Sequence, residues 1–311
     1  MGRATRDAYG EALREAGRLY KDIVVLDADL SKSTKTNVFA KEFPGRHFNS
    51  GIAEQNMIGV AAGLAASGKI PFVSTFAIFA TGRAYEQVRT SVCYPRLNVK
   101  IAATHAGLTV GEDGATHQAN EDISLMRAIP NMTVIVPADA METHQAVLWA
   151  AQYNGPVYLR LGRAAVDDIF DSDYRFDHGR MVTLHEGHDL TIMATGVMTG
   201  AARRAAAELA LTGISARVLN VHTIKPIDRE AVRQAARETG AIITCEEHSI
   251  MGGLGSAVAE AIVEIHPVPM ERVGVRDVFG ESGVPDALLA KYNLTVADIV
   301  EAARRVVSRK S

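Results

Sequence analysis

The sequence has few cysteines, few aromatic residues and no excess of positive charge. Its 311 residues include two cysteines, Cys93 and Cys245, which lie far apart inside apolar segments. Such cysteines are typical of reduced, buried thiols in a cytosolic protein, so a disulfide framework is not expected. The 33 basic residues are outnumbered by 36 acidic ones, and no basic stripe or arm is present. Nucleic acid is therefore not an expected partner.

Long apolar runs are also missing. The polar residues 1–6 lead directly into a helical pattern and are unlike a signal peptide. No apolar stretch approaches the roughly 20 residues of a membrane-spanning helix. The hydrophobic residues, 47% of the chain, suffice for the cores of two domains of moderate size. These features predict a cytoplasmic protein without a membrane partner.

Short β-branched apolar runs alternate with longer helical patterns along the chain. The predicted strands are Ile23–Leu26, Pro71–Ser74, Val99–Ala102, Thr133–Val136, Val157–Leu161, Leu190–Ala194, Ser215–Asn220, Ala241–Cys245 and Arg272–Gly274. The predicted helices are Asp7–Tyr20, Ala53–Ala66, Gly82–Val92, Asn120–Arg127, Ala140–Ala151, Thr199–Leu211, Asp228–Glu238, Gly253–Ile265, Pro285–Tyr292 and Val296–Val307. This alternation predicts an α/β fold of two doubly wound domains with mainly parallel sheets.

A crowd of aspartates marks the predicted domain boundary. Five of them fall in a stretch without a sustained apolar period: Asp167, Asp168, Asp171, Asp173 and Asp177. A charge run of this kind is typical of a solvated connector. We therefore predict a first domain over residues 1–170, a linker over 171–182 and a second domain over 183–311.

Two polar clusters follow predicted strands, where open α/β sheets bind their ligands. Residues 26–33 include Asp29 and Ser33, although a turn with capping side chains would have a similar composition. Residues 49–56 place Glu54 in the first turn of a helix rich in alanine and glycine. The carboxyl group of Glu54 either complements the helix dipole or, if packing excludes water, has a raised pKa and stays protonated. The spacing leaves both interpretations open.

The densest polar cluster is the segment 104–118, directly after a predicted strand. It contains His105, Asp113 and His117 among several glycines, which allow unusual backbone angles close to a ligand. Zinc is one alternative, but the two histidines lack i, i+4 spacing and no cysteine joins them. We therefore predict no metal site in this chain.

Weaker signals come from a pair of arginines and from a glycine-rich loop. Arg160 and Arg163 end a predicted strand, where guanidinium groups suit a phosphate but also form ion pairs at the surface. The loop Gly252–Gly255 looks like a phosphate-binding loop, although such a loop more often lets a helix pack closely on a sheet. It lacks the full dinucleotide fingerprint, so a nicotinamide-dependent oxidoreductase is not favoured.

Taken together, the motifs resemble the C-terminal half of transketolases, a pyrimidine-binding domain followed by a C-terminal domain. The resemblance extends from about Ala4 to about Val307 and is closest to the free-standing C-terminal subunits of split transketolases. Its segments, in order, are Ala4–Arg6, Leu26–Leu30, Gly51–Met57, Ser74–Phe79, Gly111–Gln118, Ile224–Asp228, Glu246–Ser249, Gly252–Gly255 and Phe279–Gly283. Each is modest support alone, but all of them in this order are highly specific.

The resemblance implies thiamine diphosphate as the cofactor. In this family a buried glutamic acid hydrogen-bonds N1′ of the aminopyrimidine and favours the imino form, whose nitrogen removes the C2 proton of the thiazolium. Glu54 matches this residue. Phe76 and Phe79 match the aromatic wall around the pyrimidine, and Asp29 matches a position on the cofactor side of the cleft.

The resemblance also implies a sugar-phosphate substrate. His105 and His117 match residues that bind hydroxyl groups and assist proton transfers, and Asp113 matches the residue that reads the C2 hydroxyl of the acceptor. A further group matches ligands of the terminal phosphate, namely Arg6, Ser33 and Arg163. The implied reaction transfers a two-carbon ketol unit from a ketose phosphate to an aldose phosphate.

The sequence departs from full-length transketolases in two places. It has no counterpart of their Gly-Asp-Gly motif or of the Asp and Asn that bind Mg²⁺. The resemblance therefore implies an N-terminal partner subunit that binds the diphosphate and Mg²⁺, most simply in an α2β2 assembly. Near Gly82–Tyr85 the third aromatic of many transketolases is replaced, and this stretch looks more like deoxyxylulose-phosphate synthase.

Three alternatives stay open. One is the β subunit of a 2-oxoacid dehydrogenase E1 component, which shares both domains and the cofactor. The two histidines of the segment 104–118 and the candidate phosphate ligands argue against it. A second is an enzyme similar to deoxyxylulose-phosphate synthase. A third is a non-catalytic assembly protein with the same fold, which the joint presence of Glu54, His105, Asp113 and His117 argues against.

Overall fold

The first half of the chain builds a parallel sheet, in a computed structural model that describes residues 2–310. Its strands are β1 (Ile23–Asp27), β2 (His47–Asn49), β3 (Ile70–Ser74), β4 (Lys100–Ala103), β5 (Thr133–Ile135) and β6 (Val157–Arg160). They lie in the order β5, β6, β4, β3, β1, β2, all parallel. The chain leaves β1 first for β2 and then for β3 on the opposite side. This reversal opens a crevice at the carboxyl ends of β1 and β3.

Helices cover both faces of this sheet. They are α1 (Thr5–Leu19), α2 (Ser31–Thr34), α3 (Thr36–Glu42), α4 (Glu54–Ala66), α5 (Tyr85–Gln87), α6 (Asp122–Ala128) and α7 (Ala140–Gln152). On one face α1 and α7 pack together over a core that includes Tyr9, Leu13 and Phe72. The helix predicted over Gly82–Val92 is wrong in detail, because two π-helical turns, Phe79–Arg83 and Val88–Cys93, flank the short α5.

The second half builds a sheet of its own. Its strands are β7 (Val182–His185), β8 (Leu190–Ala194), β9 (Ala216–Asn220), β10 (Thr223–Lys225), β11 (Ile242–Ser249) and β12 (Met270–Val275). Five of them lie in the order β12, β11, β8, β9, β7, parallel except for β7. The helices are α8 (Met198–Ala210), α9 (Arg229–Thr239), α10 (Leu254–Ile265), α11 (Pro285–Lys291) and α12 (Val296–Val307). The predicted fold class is confirmed.

The two halves are joined by a shared sheet and a shared core. β10 leaves the second half and pairs antiparallel with β5 at the edge of the first sheet. Val134 and Val136 of the first half belong to the same buried cluster as Val221 and Ile224 of the second. Through these contacts the carboxyl edge of the second sheet packs against the first half. The predicted ranges 1–170, 171–182 and 183–311 stay a prediction.

The stretch that connects the two halves is irregular. The aspartate-rich stretch 166–181 has no helix or strand. It is held instead by Asp139, whose Oδ2 accepts hydrogen bonds from the amides of Ile169 and Phe170 at 2.8 Å each. Among the described helices, none combines the length and the apolar character needed to cross a membrane.

Candidate active site

The candidate residues collect at the carboxyl edge of the first sheet. Four neighbouring strands, β1, β3, β4 and β6, end there, and the loops that follow them carry the candidates Asp29, Ser33, Phe76, Phe79, His105, Asp113, His117 and Arg163. Arg6 in the first turn of α1 and Glu54, the first residue of α4, complete the set. Parallel strands thus bring residues from distant parts of the chain to one edge.

Four aromatic rings form the centre of this site. The ring of Phe76 stacks on the imidazole of His105, with centroids 3.8 Å apart and planes inclined by 22°. Phe79 lies parallel to Phe76 at 5.9 Å. His117 meets both phenylalanines with its edge, at 5.5 Å from Phe79 and 6.1 Å from Phe76. The structure therefore brings together four residues that the sequence analysis selected separately.

The tautomer of His105 follows from its neighbours. Its side chain is buried, 3% exposed, and its backbone has the left-handed φ of 59°. Nε2 lies 3.0 Å from Nη1 of Arg6, and Nδ1 lies 2.8 Å from Oγ1 of Thr104. Because a guanidinium only donates, Nε2 must be the unprotonated acceptor, and Nδ1 carries the proton toward Thr104. A lone pair on Nε2 thus faces the site.

His105 is neutral at physiological pH. Burial is the main cause that lowers its pKa, to about 3, and the positive charges of Arg6 and Arg163 add to it, followed by His117 and Lys35. The imidazole therefore serves as a neutral hydrogen-bonding group rather than as a cation.

The guanidinium groups of Arg6 and Arg163 are the nearest positive charges, and that of Arg6 has an N–H group without a hydrogen-bond partner among residues 2–310. Nη1 of Arg6 donates to the carbonyl of Ser33 at 3.3 Å, and the buried Nε of Arg6 has no partner among residues 2–310. Nη1 of Arg163 donates to the carbonyl of Val110 and pairs with Oε2 of the exposed Glu112 at 2.9 Å. A partly buried guanidinium with a free N–H beside a second guanidinium suits an anion such as a phosphate.

Glu54 lies at the edge of the aromatic group and is paired with an arginine. Its side chain is 2% exposed, and Nη1 of Arg83 lies 2.9 and 3.0 Å from its two carboxylate oxygens. The guanidinium of Arg83 also lies over the ring of Phe79, 4.6 Å from the centroid. The predicted burial of Glu54 is therefore present, but an ion pair accompanies it.

Sequence reasoning missed Arg83. In the sequence analysis, the stretch near Gly82–Tyr85 stood out only as a departure from the pattern of many transketolases. A basic residue such as Arg83 is a possible partner for any buried carboxylate. The direction in which its side chain points, however, depends on the π-helical turn Phe79–Arg83, which a helical periodicity of 3.6 does not predict. Lys35, in the left-handed region at φ 69° and paired with Asp7 at 2.9 Å, was missed in the same way.

The residues fit the pyrimidine half of thiamine diphosphate. Arg83 places a planar nitrogen-bearing group against the carboxylate of Glu54 and over the face of Phe79. A flat nitrogen heterocycle needs the same two elements, a carboxyl partner for a ring nitrogen and an aromatic surface for stacking. Within the described part of the chain, no group of three or more His, Cys, Asp or Glu side chains converges as a metal site would require.

Two candidate residues stand apart from the group. Asp29 is exposed and exchanges hydrogen bonds with Asn49, its amide at 3.1 Å from Oδ1 and its own Oδ1 at 3.2 Å from Nδ2. Asp113 is exposed at the end of the 3₁₀ helix Leu108–Asp113. Over residues 2–310 neither side chain forms a hydrogen bond or ion pair with another candidate residue, and their roles stay a prediction.

Arg160 is the last residue of β6, and Arg163 lies three residues beyond it; the two arginines make different contacts. Arg160 pairs with Asp122, Nε to Oδ2 at 2.8 Å, but the pair is buried, whereas the sequence analysis expected an ion pair at the surface. Burial alone would raise the pKa of Asp122, yet the charge of Arg160 holds it below its ordinary value. Arg163, by contrast, stays partly exposed beside the histidines. The sequence offered no means of separating the two.

The glycine-rich loop before α10 is a packing device. Glu246 accepts hydrogen bonds from the amides of Leu254 and Gly255 at 2.7 and 2.8 Å and so occupies the start of α10. A Cβ on Gly253 would collide with Oε2 of Glu246. The loop therefore lets the helix approach the sheet, as the alternative in the sequence analysis supposed, and its amides are not available to a phosphate.

Comparisons with known proteins agree with this geometry. Residues 1–168 match the family model of the transketolase pyrimidine-binding domain, and residues 179–299 match that of the transketolase C-terminal domain. The chain is 48% identical to the 6-deoxy-6-sulfo-D-fructose transketolase subunit SqwH of Clostridium sp. (strain MSTE9), over 98% of this chain and 95% of that protein. It is 42% identical to an apulose-4-phosphate transketolase subunit of Phocaeicola vulgatus, over 98% of each.

A solved structure is equally similar. The protein described as a split gene transketolase, in an inactive β4 tetramer, superimposes with a TM-score of 0.93 and 57% identity, and the match covers 100% of both chains. The relationship therefore extends over both halves of the chain and is close in sequence as well as in fold.

Proposed function

Because this chain belongs to the transketolase family, we propose that it is the C-terminal subunit of a two-chain transketolase. With an N-terminal subunit it transfers a two-carbon ketol unit from a ketose phosphate to an aldose phosphate. The observation that carries the proposal is the neutral, Arg6-bound His105 stacked on Phe76, with a buried Glu54 at the edge of the same aromatic group.

In this proposal three side chains hold the pyrimidine half of thiamine diphosphate. Glu54 binds a ring nitrogen through its carboxyl group, and Phe76 and Phe79 supply the aromatic surface. When bound, the cofactor supplies a carbon nucleophile that attacks a carbonyl group. Asp29 lines the cofactor side of the cleft. The diphosphate and Mg²⁺ are assigned to the partner subunit.

His105 and His117 bind the hydroxyl groups of the sugar. The lone pair on Nε2 of His105, which Arg6 contacts, accepts a hydrogen bond from a sugar hydroxyl that replaces the guanidinium. The pKa of about 3 leaves this nitrogen unprotonated and ready to accept. His117 faces the same space, and Asp113 reads the C2 hydroxyl of the acceptor.

Arg6, Ser33 and Arg163 hold the terminal phosphate. The support is the unpaired Nε of Arg6 within residues 2–310 and the nearby charge of Arg163, which is among the causes that lower the pKa of Arg6, after burial. A phosphate dianion between them relieves this repulsion and forms charge-assisted hydrogen bonds.

An exposed face of α4 supports the partner. Gly59 and Gly63 lie on this face, with no atom within 4 Å of the point that a Cβ would occupy, and the neighbouring Ile52 and Val60 are 78% and 44% exposed. A glycine in a helix interior lowers the stability of the helix by about 1 kcal/mol relative to alanine. Neighbouring apolar side chains that are exposed to water form a patch typical of an interaction site. Cover by another chain accounts for both, and we assign it to an α2β2 assembly.

The sugar is the least specified part of the proposal. One relative is named for a sulfonated fructose and another for apulose 4-phosphate. Their names favour a second candidate, a transketolase of the same mechanism whose donor is a modified ketose. In both cases the anionic end of the donor lies against Arg6 and Arg163. A cytoplasmic location stays a prediction.

The test is to tag this chain in its host, recover the assembled complex and assay it with thiamine diphosphate and Mg²⁺. Xylulose 5-phosphate and ribose 5-phosphate are supplied first, with sedoheptulose 7-phosphate as the product, and 6-deoxy-6-sulfofructose replaces the donor in a parallel assay. Product from the complex but not from this chain alone supports the proposal, and the donor that gives the higher kcat/KM decides between the two candidates.

Other outcomes count against the proposal. Oxidation of a 2-oxoacid with an artificial electron acceptor moves the assignment to a dehydrogenase subunit. Condensation of pyruvate with glyceraldehyde 3-phosphate moves it to a deoxyxylulose-phosphate synthase. A complex without any of these activities favours the non-catalytic assembly protein.

A further inference from the structure

Two adjacent carboxyl groups, Glu246 and Glu247, are buried where β11 meets the first half of the chain. They make different contacts. Glu246 turns back to the start of α10, within its own half. Glu247 reaches across to the segment that follows β4, where His105 lies. Neither residue has a role in the proposed chemistry.

The carboxyl group of Glu247 fixes the backbone just beyond His105. Its Oε1 accepts the amide hydrogen of Thr109 at 2.5 Å, although the two residues are far apart in sequence. Gly107 lies against the same carboxyl group with a φ of 79°, and a Cβ there would collide with Cδ of Glu247. The glycine is therefore required both by its backbone angle and by this close approach.

The backbone of Glu247 is itself held in place. Nη2 of Arg160 donates to the backbone carbonyl of Glu247 at 3.0 Å, and the same guanidinium is fixed by Asp122. The anchor is thus a rigid part of the junction between the two halves. The second half also contacts the far end of the segment 104–118, where Nε2 of Gln118 donates to the carbonyl of Glu281 at 3.0 Å.

We propose that Glu247 is a positioning residue, through which the second half of the chain holds the segment 105–109 so that His105 stays between Phe76 and Arg6. It touches neither cofactor nor substrate, and it acts through Thr109 and Gly107. The catalytic part of this inference rests on the proposed function, whereas the effect on the segment does not.

The chemistry of the contact predicts which substitutions it tolerates. Burial raises the pKa of Glu247 to about 7, although the charge of Arg160 and the hydrogen bonds from Thr109 act in the opposite direction. A protonated carboxyl group still offers an oxygen to the amide of Thr109. Glutamine offers the same acceptor in nearly the same volume, so the contact survives Glu247→Gln and is lost in Glu247→Ala.

The experiment compares Glu247→Ala, Glu247→Gln and the matched control Glu246→Ala in the full-length chain. Amide hydrogen exchange, read by mass spectrometry on peptides that cover residues 104–118, reports the segment directly. Steady-state kinetics of the assembled complex report the chemistry. Glu246→Ala removes an equally buried carboxyl group one residue away, and its loss affects α10 but not the segment 105–109.

For Glu247→Ala we expect faster exchange in residues 104–118 and a kcat reduced about 100-fold with less change in KM, since small misplacements of catalytic groups have effects of this order. Glu247→Gln should keep both properties within about threefold of the wild type. Glu246→Ala should lower Tm and leave exchange in 104–118 unchanged.

The inference is overturned if exchange in 104–118 is the same in Glu247→Ala as in Glu246→Ala, or if Glu247→Gln loses protection and turnover. If Glu247→Ala does not fold, the glutamine variant alone decides. Should the complex lack ketol transfer, the proposed function fails but the exchange result still judges the contact.

Discussion

The two halves are both built on mainly parallel sheets, yet the carboxyl edges of the two sheets differ in what they face. The edge of the first sheet keeps partly exposed polar groups, such as His117 and Arg163, around a neutral histidine. The edge of the second sheet is buried against the first half, where the amide of Ser249 donates to the carbonyl of Asn120 at 2.6 Å and the hydroxyl of Thr195 lies 3.5 Å from the carbonyl oxygen of Val136. The rule that polar residues gather at this edge therefore identifies a position, and burial decides whether the position binds a ligand or another domain.

We expect the largest difference between the two edges when one buried carboxyl group is changed on each. Glu54→Gln should lower kcat of the complex by about 10³-fold or more, because it removes the proposed acid partner of the cofactor. The matched change Glu246→Gln keeps acceptor atoms for α10 and should leave kcat near the wild type. Turnover assays with size-exclusion chromatography, which shows that both variants assemble, provide the test. Wild-type turnover in Glu54→Gln would remove this residue from the cofactor site.

The next largest effect concerns Arg160, which ends β6 on the structural side of the comparison. Arg160→Ala leaves Asp122 buried without its partner, and loss of one member of a buried ion pair typically costs about 3–5 kcal/mol of folding free energy. Denaturant unfolding at pH 7 measures this difference. A change below about 1 kcal/mol, on the order of a surface pair, would contradict the structural role.

Arg163, three residues further, belongs to the ligand side. Arg163→Ala should raise KM for a phosphorylated substrate by about 10- to 100-fold, as expected for a lost charge-assisted hydrogen bond, with little change in unfolding free energy. Kinetics with a phosphorylated acceptor and with its unphosphorylated analogue separate phosphate binding from other effects. If KM rises equally for both acceptors, Arg163 does not bind the phosphate.

A pH-dependent effect lies at the junction of the two halves. Glu142 accepts hydrogen bonds from Tyr174 at 2.6 Å and from Asn220 of the second half at 2.8 Å, and burial raises its pKa to about 8. Because the folded state then binds a proton that the unfolded state releases, this group stabilises the fold below about pH 4.5 and its contribution falls as pH rises to about 8.

The measurement is the unfolding free energy of the wild type and of Glu142→Gln between pH 5 and pH 8. The wild type should lose stability relative to the variant as the pH rises, by at most about 1.4 kcal/mol per pH unit. Parallel curves for the two proteins would show that Glu142 does not titrate in this range.

Most of the fold was predictable because its strands and helices have clear periods. The cores of β1, β3, β4, β6, β8 and β9 coincide with predicted strands to within a residue or two. The missed elements are short or depend on distant partners. β2, β7 and β10 have three or four residues each, and β10 is a strand only because it pairs with β5. No local pattern contains that information.

The candidate site was predictable to a smaller extent. The residue pattern around Glu54 left its burial open, and only the family resemblance implied it, whereas the loop glycines indicated the unusual backbone around His105. The contacts of Arg83 and Glu247 could not be predicted, since the first depends on a π-helical turn and the second on packing between the two halves. Arg160 and Arg163 share a strand end in the sequence, and only burial separates them.

The most direct test of the central claim is a titration of this chain into a fixed amount of its purified partner subunit, with ketol transfer as the readout. The proposed function predicts no activity from either chain alone and a linear rise that saturates at equimolar chains, as an active site shared in an α2β2 assembly requires. Full activity from one chain alone, or no ketol transfer at any ratio with either donor, would contradict it.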